Sequence, residues 1–241
     1  MSKVVIITQA RISSSRLPKK VLKTINGTTV LHHHLNRLKQ TGLAVAVATT
    51  EEAESDLIVQ EAKSVGVPAT KGSLENVLAR YHKTALANHA DIVIRVTSDC
   101  PLISPAAILA GLALFKGSPS PEVTYCSNTV ERTFPRGFDF EIFSMSLLDQ
   151  AFERAVDQHD LEHVTPYFYT KKDPNIKVVQ YSKLIDDSDL RLTLDTPEDL
   201  KMFEALFSKV NPDLLTDDEL IGFLRKHPEI TEINSGVKQK A

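Results

Sequence analysis

Arg11, Arg16, Lys19, Lys20 and Lys23 crowd into one short stretch, "QARISSSRLPKKVLK", that follows directly on the apolar run Val4 to Ile7. No acid stands among them. The chain has 31 Asp and Glu residues, and the first is Glu51. A basic cluster of this kind, leaving what reads as a buried strand, asks for an anion. At about 4 Å and an effective dielectric near 20, each Lys or Arg offers an anionic group on the order of 4 kcal/mol before desolvation, so several together can hold a polyphosphate. The stretch contains neither GxxxxGK[ST] nor GxGxxG, so the phosphate loop is of another kind. A solvated basic turn is the alternative reading, and the missing counter-charges from Met1 to Thr50 weigh against it.

Two acids complete the chemistry. "VTSDCPLI" puts Asp99 just past an apolar run, and "LTLDTPEDL" does the same for Asp195. Aspartate is a hard oxygen donor suited to Mg²⁺, which takes one or two carboxylates and leaves its other positions to water and phosphate oxygens. A metal-assisted phosphoryl or nucleotidyl transfer follows from that set. Each Asp alone also suits a turn or helix cap, because each precedes a proline-initiated segment. The triplet His32 to His34 is not a metal site, since adjacent helical residues point about 100° apart. It reads as helix surface.

These residues need elements to position them. Apolar runs at Val4 to Ile7, Ala44 to Ala48, Val67 to Ala69 and Ile92 to Val96 alternate with helical patterns at Val30 to Leu38, Ser55 to Ser64 and Leu74 to His89. Uniformly apolar strands are covered on both faces, so the expected fold is α/β: a mostly parallel central sheet with helices on each side. Ligands then sit beyond the carboxyl ends of the strands. Further strands are expected at Val123 to Tyr125, Phe140 to Phe143, Lys177 to Gln180 and Leu190 to Leu194, the last feeding a helix through Thr196 as N-cap and Pro197 at N1. Residues 1–230 read as one domain and 231–241 as a polar tail.

Composition excludes other classes. With 42% hydrophobic and 24% charged residues and a formal net charge of −3, the chain is neither a general nucleic-acid binder nor a membrane-surface protein. Cys100 and Cys126 form no CxxC, so neither a disulfide framework nor a structural zinc is expected. The short N-terminal apolar run lacks a small-residue cleavage site, and a cytoplasmic location is the expectation.

The ordered segments "QARISSSRLPKKVL", "RVTSDCPLI", "FDFEIF", "EHVTPY" and "LRLTLDTPEDL", spread from about Val4 to Leu206, resemble the cytidylyltransferase family that includes the spore-coat polysaccharide biosynthesis protein F group. A more distant likeness is to the CMP-sialic acid and CMP-Kdo synthetases. The resemblance implies a Rossmann-like nucleotide-diphospho-sugar transferase fold, with CTP and a sugar acceptor as substrates, Mg²⁺ as cofactor and a homodimer as the assembly. It makes Arg16 and Lys20 phosphate ligands, Ala10 and Arg11 part of the nucleotide loop, and Asp99 and Asp195 magnesium ligands, with Arg16, Lys20, Asp99 and Asp195 carrying catalysis. "KGSLENVLARY" resembles the segment near the base, which points to Ser73 and Asn76. Arg136, Asp139, Glu141, Glu162 and His163 lie in motifs like the family's sugar-facing half. There, "DLEHVT" is expected to open a helix with Asp160 as N-cap, its free amides turned to a sugar carboxylate.

Three departures stand out. The family usually has Gly where this chain has Lys19 and Ser98, and Trp where it has Leu192. The expected reaction is attack by a sugar hydroxyl on the α-phosphorus of CTP with loss of pyrophosphate, for a surface or spore-coat polysaccharide. Two rivals are a glycosyltransferase of the same fold, which normally carries a DxD motif that "FDFEIF" does not supply, and a catalytically silent nucleotide-binding protein.

Overall fold

A computed structural model describes residues 2–170 and 172–239. Its centre is a seven-stranded sheet. In chain order the strands are β1 (Val4–Gln9), β4 (Ala44–Thr50), β5 (Ala69–Gly72), β6 (Ile92–Thr97), β7 (Thr124–Ser127), β8 (Glu141–Ser144) and β9 (Lys177–Gln180), while β2 (Thr24–Ile25) and β3 (Thr28–Thr29) form a separate small hairpin. Across the sheet the order is β5-β4-β1-β6-β8-β7-β9. The pairings make β8 the one strand that runs against the others. The chain builds outward from β1 to β5, then returns to lay β6 on the other side of β1. The carboxyl ends of β1 and β6 therefore flank the point where the winding reverses, which is where open α/β sheets bind ligands.

Alternation along β1 shows why helices cover both faces. Val4 and Ile6 enter one buried cluster and Val5 and Ile7 the other. The first cluster packs α1 (Val30–Lys39), α2 (Asp56–Ser64), α4 (Pro105–Lys116) and α8 (Pro197–Lys209) against the sheet. The second packs α3 (Val77–Ala87), α5 (Met145–Arg154) and α7 (Pro166–Tyr169) on the opposite face. The cap read from sequence at Thr196 marks the start of α8. Thr196 and Asp199 make a reciprocal capping box on α8 with Pro197 in its first turn. No helix among the described residues is long and apolar enough to cross a membrane.

Several expectations are corrected. The run Leu190 to Leu194 is extended, but it forms no strand of the sheet. It pairs with the loop at Arg136 (Arg136 N–H to Leu190 O 2.9 Å, Leu192 N–H to Arg136 O 2.7 Å) and with Asp99 O (2.8 Å from Leu194 N). Gly137, at φ 104°, permits that approach, because a Cβ there would lie 2.1 Å from the Leu192 carbonyl oxygen. "DLEHVT" closes a helix instead of opening one. α6 (Gln158–His163) has Asp157 at its N-cap and ends at Val164 with φ 70°, so Asp160 lies within the first turn and is not the cap; it is buried and paired with Lys172 at 2.6 Å. The His triplet is not surface either: His33 and His34 are buried, because α1 is packed around most of its circumference. The stretch from Thr231, polar in composition, continues from α9 (Asp217–Lys226) and α10 (Pro228–Thr231) into a turn whose Asn234 is buried and donates to Arg191 O and Asp199 Oδ1.

Candidate active site

The loop after β1 turns back on itself through Lys19, whose left-handed backbone (φ 55°, ψ 32°) directs its N–H to Ile12 O at 3.2 Å. That turn delivers Lys20 to the middle of the sheet edge. Its Nζ lies 2.6 Å from Asp99 Oδ2 and 2.8 Å from Asp195 Oδ1. Two carboxylates far apart in sequence thus meet on one cation. Arg16 Nη2 adds a contact to Asp195 Oδ2 at 3.1 Å, and Arg191 Nη2 reaches the same oxygen at 2.9 Å. Arg191 is itself fixed by the buried Asp199, which also accepts the N–H groups of Asp195 and Thr196. The cap of α8 and the placement of Asp195 are therefore one structure.

Charge states follow from this packing. Burial alone depresses a lysine, but the attraction of Asp99 and Asp195 outweighs it and holds Lys20 well above the ordinary lysine range. Burial alone raises a carboxyl, and the Lys20 ammonium reverses that, holding Asp99 well below the usual carboxylate range. Behind Asp99, His34 accepts from Thr8 Oγ at 2.9 Å through Nε2 and donates to Cys100 O at 2.8 Å through Nδ1, a tautomer set by the carbonyl's lack of a proton. Burial pushes its pKa down to about 4, so it is a neutral scaffold for the Asp99 loop.

Lys20, Asp99 and Asp195 line a cleft of about 220 Å³ with Ala10, Arg11, Arg16, Glu162 and His163. A second cleft of about 620 Å³ adjoins it, sharing Thr97 and His163, and takes in Arg136, Asp139 and Glu141. In that second cleft the carboxylates are already engaged. Asp139 holds Arg132 through both oxygens at 2.6 and 2.8 Å, and Glu141 takes Arg95, Tyr125 Oη and Thr165 Oγ1. Burial keeps the His163 imidazole below the usual histidine range. Ser73 and Asn76 serve the start of α3, where Ser73 Oγ accepts from Asn76 N–H at 3.0 Å and Asn76 Oδ1 from Ala79 N–H at 2.8 Å. Their neighbours Val77 and Arg80 reach the first cleft. Ser98, where glycine is usual, is buried and donates its hydroxyl to Gln9 O at 2.6 Å, stitching the ends of β6 and β1 together.

Sequence reasoning passed over Arg80, Arg95 and Arg191. The signal for Arg80 was present: it is a charge on the stripe Val77, Leu78, Tyr81, Ala85 that α3 buries. All but three of the arginines have a carboxylate at salt-bridge distance. The three without one among the described residues are Arg11, Arg80 and Arg136, and all three line the two clefts. Uncompensated guanidiniums cannot shed their charge, so they await anions or acceptors from outside the chain.

The donor set suits magnesium. Two carboxylates converge where a cation, the Lys20 ammonium, already sits between them, and Mg²⁺ needs no more protein oxygens than these if substrate phosphates supply the rest. Among the described residues no group of three or more His, Cys, Asp or Glu gathers into a richer metal centre.

A parallel α/β sheet, a basic loop at its switch point and a carboxylate pair across from it define a nucleotide-handling transferase. The chain belongs to the cytidylyltransferase family, whose sequence model matches residues 5–226. It is a nucleotidyltransferase. The solved structure of a cytidylyltransferase from Leptospira borgpetersenii serovar Hardjo-bovis (strain JB197) is similar over all of both chains, with TM-score 0.90 and 32% identity. The spore coat polysaccharide biosynthesis protein SpsF of Bacillus subtilis (strain 168) is 29% identical over 95% of this chain and 97% of its own length. A CMP:2-keto-3-deoxy-manno-octonic acid synthetase complexed with CTP shares the fold at TM-score 0.65 and 20% identity, covering 86% of this chain and 99% of that one.

Proposed function

We propose that the protein transfers CMP from CTP to a hydroxyl of a carboxylate-bearing sugar, with Mg²⁺, for a surface polysaccharide. The hydroxyl oxygen bonds to the α-phosphorus, the bond from that phosphorus to the bridging oxygen of the β-phosphate breaks, and pyrophosphate and a proton are released. The meeting of Asp99, Asp195 and Lys20 at the ends of different segments carries this reading. Asp99 and Asp195 would hold the Mg²⁺, which would supply charge neutralisation at the α-phosphate and leaving group. Arg16 and Lys20 bind the triphosphate and orient it for in-line attack. Arg136, with no carboxylate at salt-bridge distance among the described residues, supports an acidic acceptor in the adjoining cleft, and Thr97 and His163 on the shared wall let nucleotide and sugar approach each other. No nucleophile of the protein is needed. The family name and the CTP complex of the synthetase support the choice of base, and the Bacillus relative supports the polysaccharide role.

The test is pyrophosphate release from each of the four NTPs with Mg²⁺ across a panel of acidic and neutral sugars. CTP with a keto-sugar acid is expected to turn over. Release that ignores the base, or that occurs only with neutral sugars, overturns the assignment. Cleavage of a supplied nucleotide sugar without any NTP requirement favours a glycosyltransferase.

A further inference from the structure

We propose that Arg80 is a specificity-determining residue that reads the paired acceptor edge of cytosine, its O2 and N3, at the nucleoside side of the first cleft. This rests on the cytidylyl reading above. Arg80 is 2% exposed, a charged side chain on the buried face of α3, yet it lines the cleft beside Val77, Ala10 and Arg11. Among the described residues Nη1 alone makes hydrogen bonds, to the carbonyls of Ser73 and Leu74, which hold the guanidinium plane still. Nε is buried with no partner, and Nη2 has none among the described residues. Those two nitrogens are one edge of the guanidinium, two adjacent donors in a fixed plane. Gly72 clears room for this arrangement, since a Cβ there would come within 3.1 Å of Arg80 Cγ.

The matching ligand edge has two adjacent acceptors. Lys20, Arg16 and the two aspartates define the phosphate side. Arg80 instead lines the same cleft from α3, together with Val77. A nucleotide with its phosphates on Lys20 therefore extends its nucleoside toward α3. Cytosine presents O2 and N3 as acceptors side by side; uracil carries a hydrogen on N3 that would oppose the Arg80 donors. A buried donor left unpaired is what makes hydrogen-bonding sites reject near-isosteres strongly.

Equilibrium binding tests this with CTP, UTP, 3-deaza-CTP and inorganic tripolyphosphate against the parent and the variants Arg80→Lys and Arg80→Gln. The parent should prefer CTP over both UTP and 3-deaza-CTP by about tenfold or more, the effect of one charge-assisted hydrogen bond. Arg80→Gln should erase most of that preference while tripolyphosphate affinity stays within about twofold. Equal loss of CTP and tripolyphosphate would make Arg80 a phosphate ligand and overturn the proposal. So would a lowered melting temperature with an intact CTP to UTP ratio, which marks Arg80 as a support for Ser73 and Leu74 only. If neither variant folds, the parent's response to 3-deaza-CTP decides, and parity with CTP ends the idea. A parent that binds all four NTPs alike instead removes the cytidylyl reading itself.

Discussion

On the Lys20 side of the first cleft each cation meets a carboxylate of this chain, whereas Arg11 and Arg80 on the α3 side meet none at salt-bridge distance among the described residues. The two sides therefore prepare for ligands differently. Arg80 is held ready, with its desolvation already borne by the fold, while Arg11 stays exposed at the rim. The Lys20 side is differently poised: Asp99 and Asp195 would hold a metal ion only in exchange for the ammonium now between them, which would then be free for phosphate. Pairing here is a resting state in which like charges are kept from facing one another.

The comparison breaks most visibly if the paired side is only scaffolding. Asp99→Asn and Asp195→Asn keep size and some hydrogen bonding but lose the anionic oxygen, so pyrophosphate release should fall at least about a hundredfold in each. Their stabilities should differ. Asp99 serves Lys20, which keeps Asp195, so Asp99→Asn should cost about 1 kcal/mol or less. Asp195 also serves Arg16, which has no other carboxylate among the described residues, and Arg191, so Asp195→Asn should cost about 1–3 kcal/mol. Urea unfolding and a pyrophosphate assay measure both. Variants that keep full activity would return the aspartates to a capping role, for which Asn is nearly as good.

A sharper cut separates the two roles of Lys20. If its ammonium competes with a metal ion, Lys20→Met should bind Mn²⁺ about tenfold more tightly than the parent in the absence of nucleotide, while binding CTP more weakly. The opposite signs are the point. A lysine that only binds phosphate leaves nucleotide-free Mn²⁺ affinity unchanged, and paramagnetic resonance of the bound ion reads this without turnover.

Much of this was legible before the fold. The acid-free opening and the two aspartates after apolar runs gave the charges, and the alternation of strands and helices gave the edge on which they meet. The second half was less readable for physical reasons. Leu190 to Leu194 has the apolar alternation of a strand, but its hydrogen bonds go to the Arg136 loop, and no local pattern tells one extended partner from another. "DLEHVT" carries the residues of a helix start, yet Asp157 had already begun that helix, and Asp160 went inside because Lys172 could neutralise it. The His triplet failed in an opposite way. Divergence of the three rings was foreseen, but how much of α1 the sheet would cover was not, since that depends on α2 and the Asp99 loop closing over His34. Arg11 and Arg136 stand out in the sequence and Arg80 shows as a charge on a buried stripe, but that all three lack a carboxylate partner is a statement about neighbours in space and has no local signal.

The smallest effect concerns Lys19, where the family resemblance gives glycine. Its φ of 55° is left-handed, a conformation that costs a non-glycine residue roughly 1 kcal/mol. Its ammonium meets Glu54 at 2.5 Å, but both side chains are about half exposed, at 46% and 58%, so that pair returns little. Glycine also gains freedom in the unfolded chain, which offsets part of the relief. Lys19→Gly should therefore change stability by less than about 1 kcal/mol, with the larger part of the strain relieved and CTP affinity within about twofold of the parent. Thermal unfolding and calorimetry together test this. A loss of CTP affinity greater than about fivefold would show that Lys19 reaches the ligand. The basic loop would then hold one more phosphate cation than its pairing with Glu54 suggests.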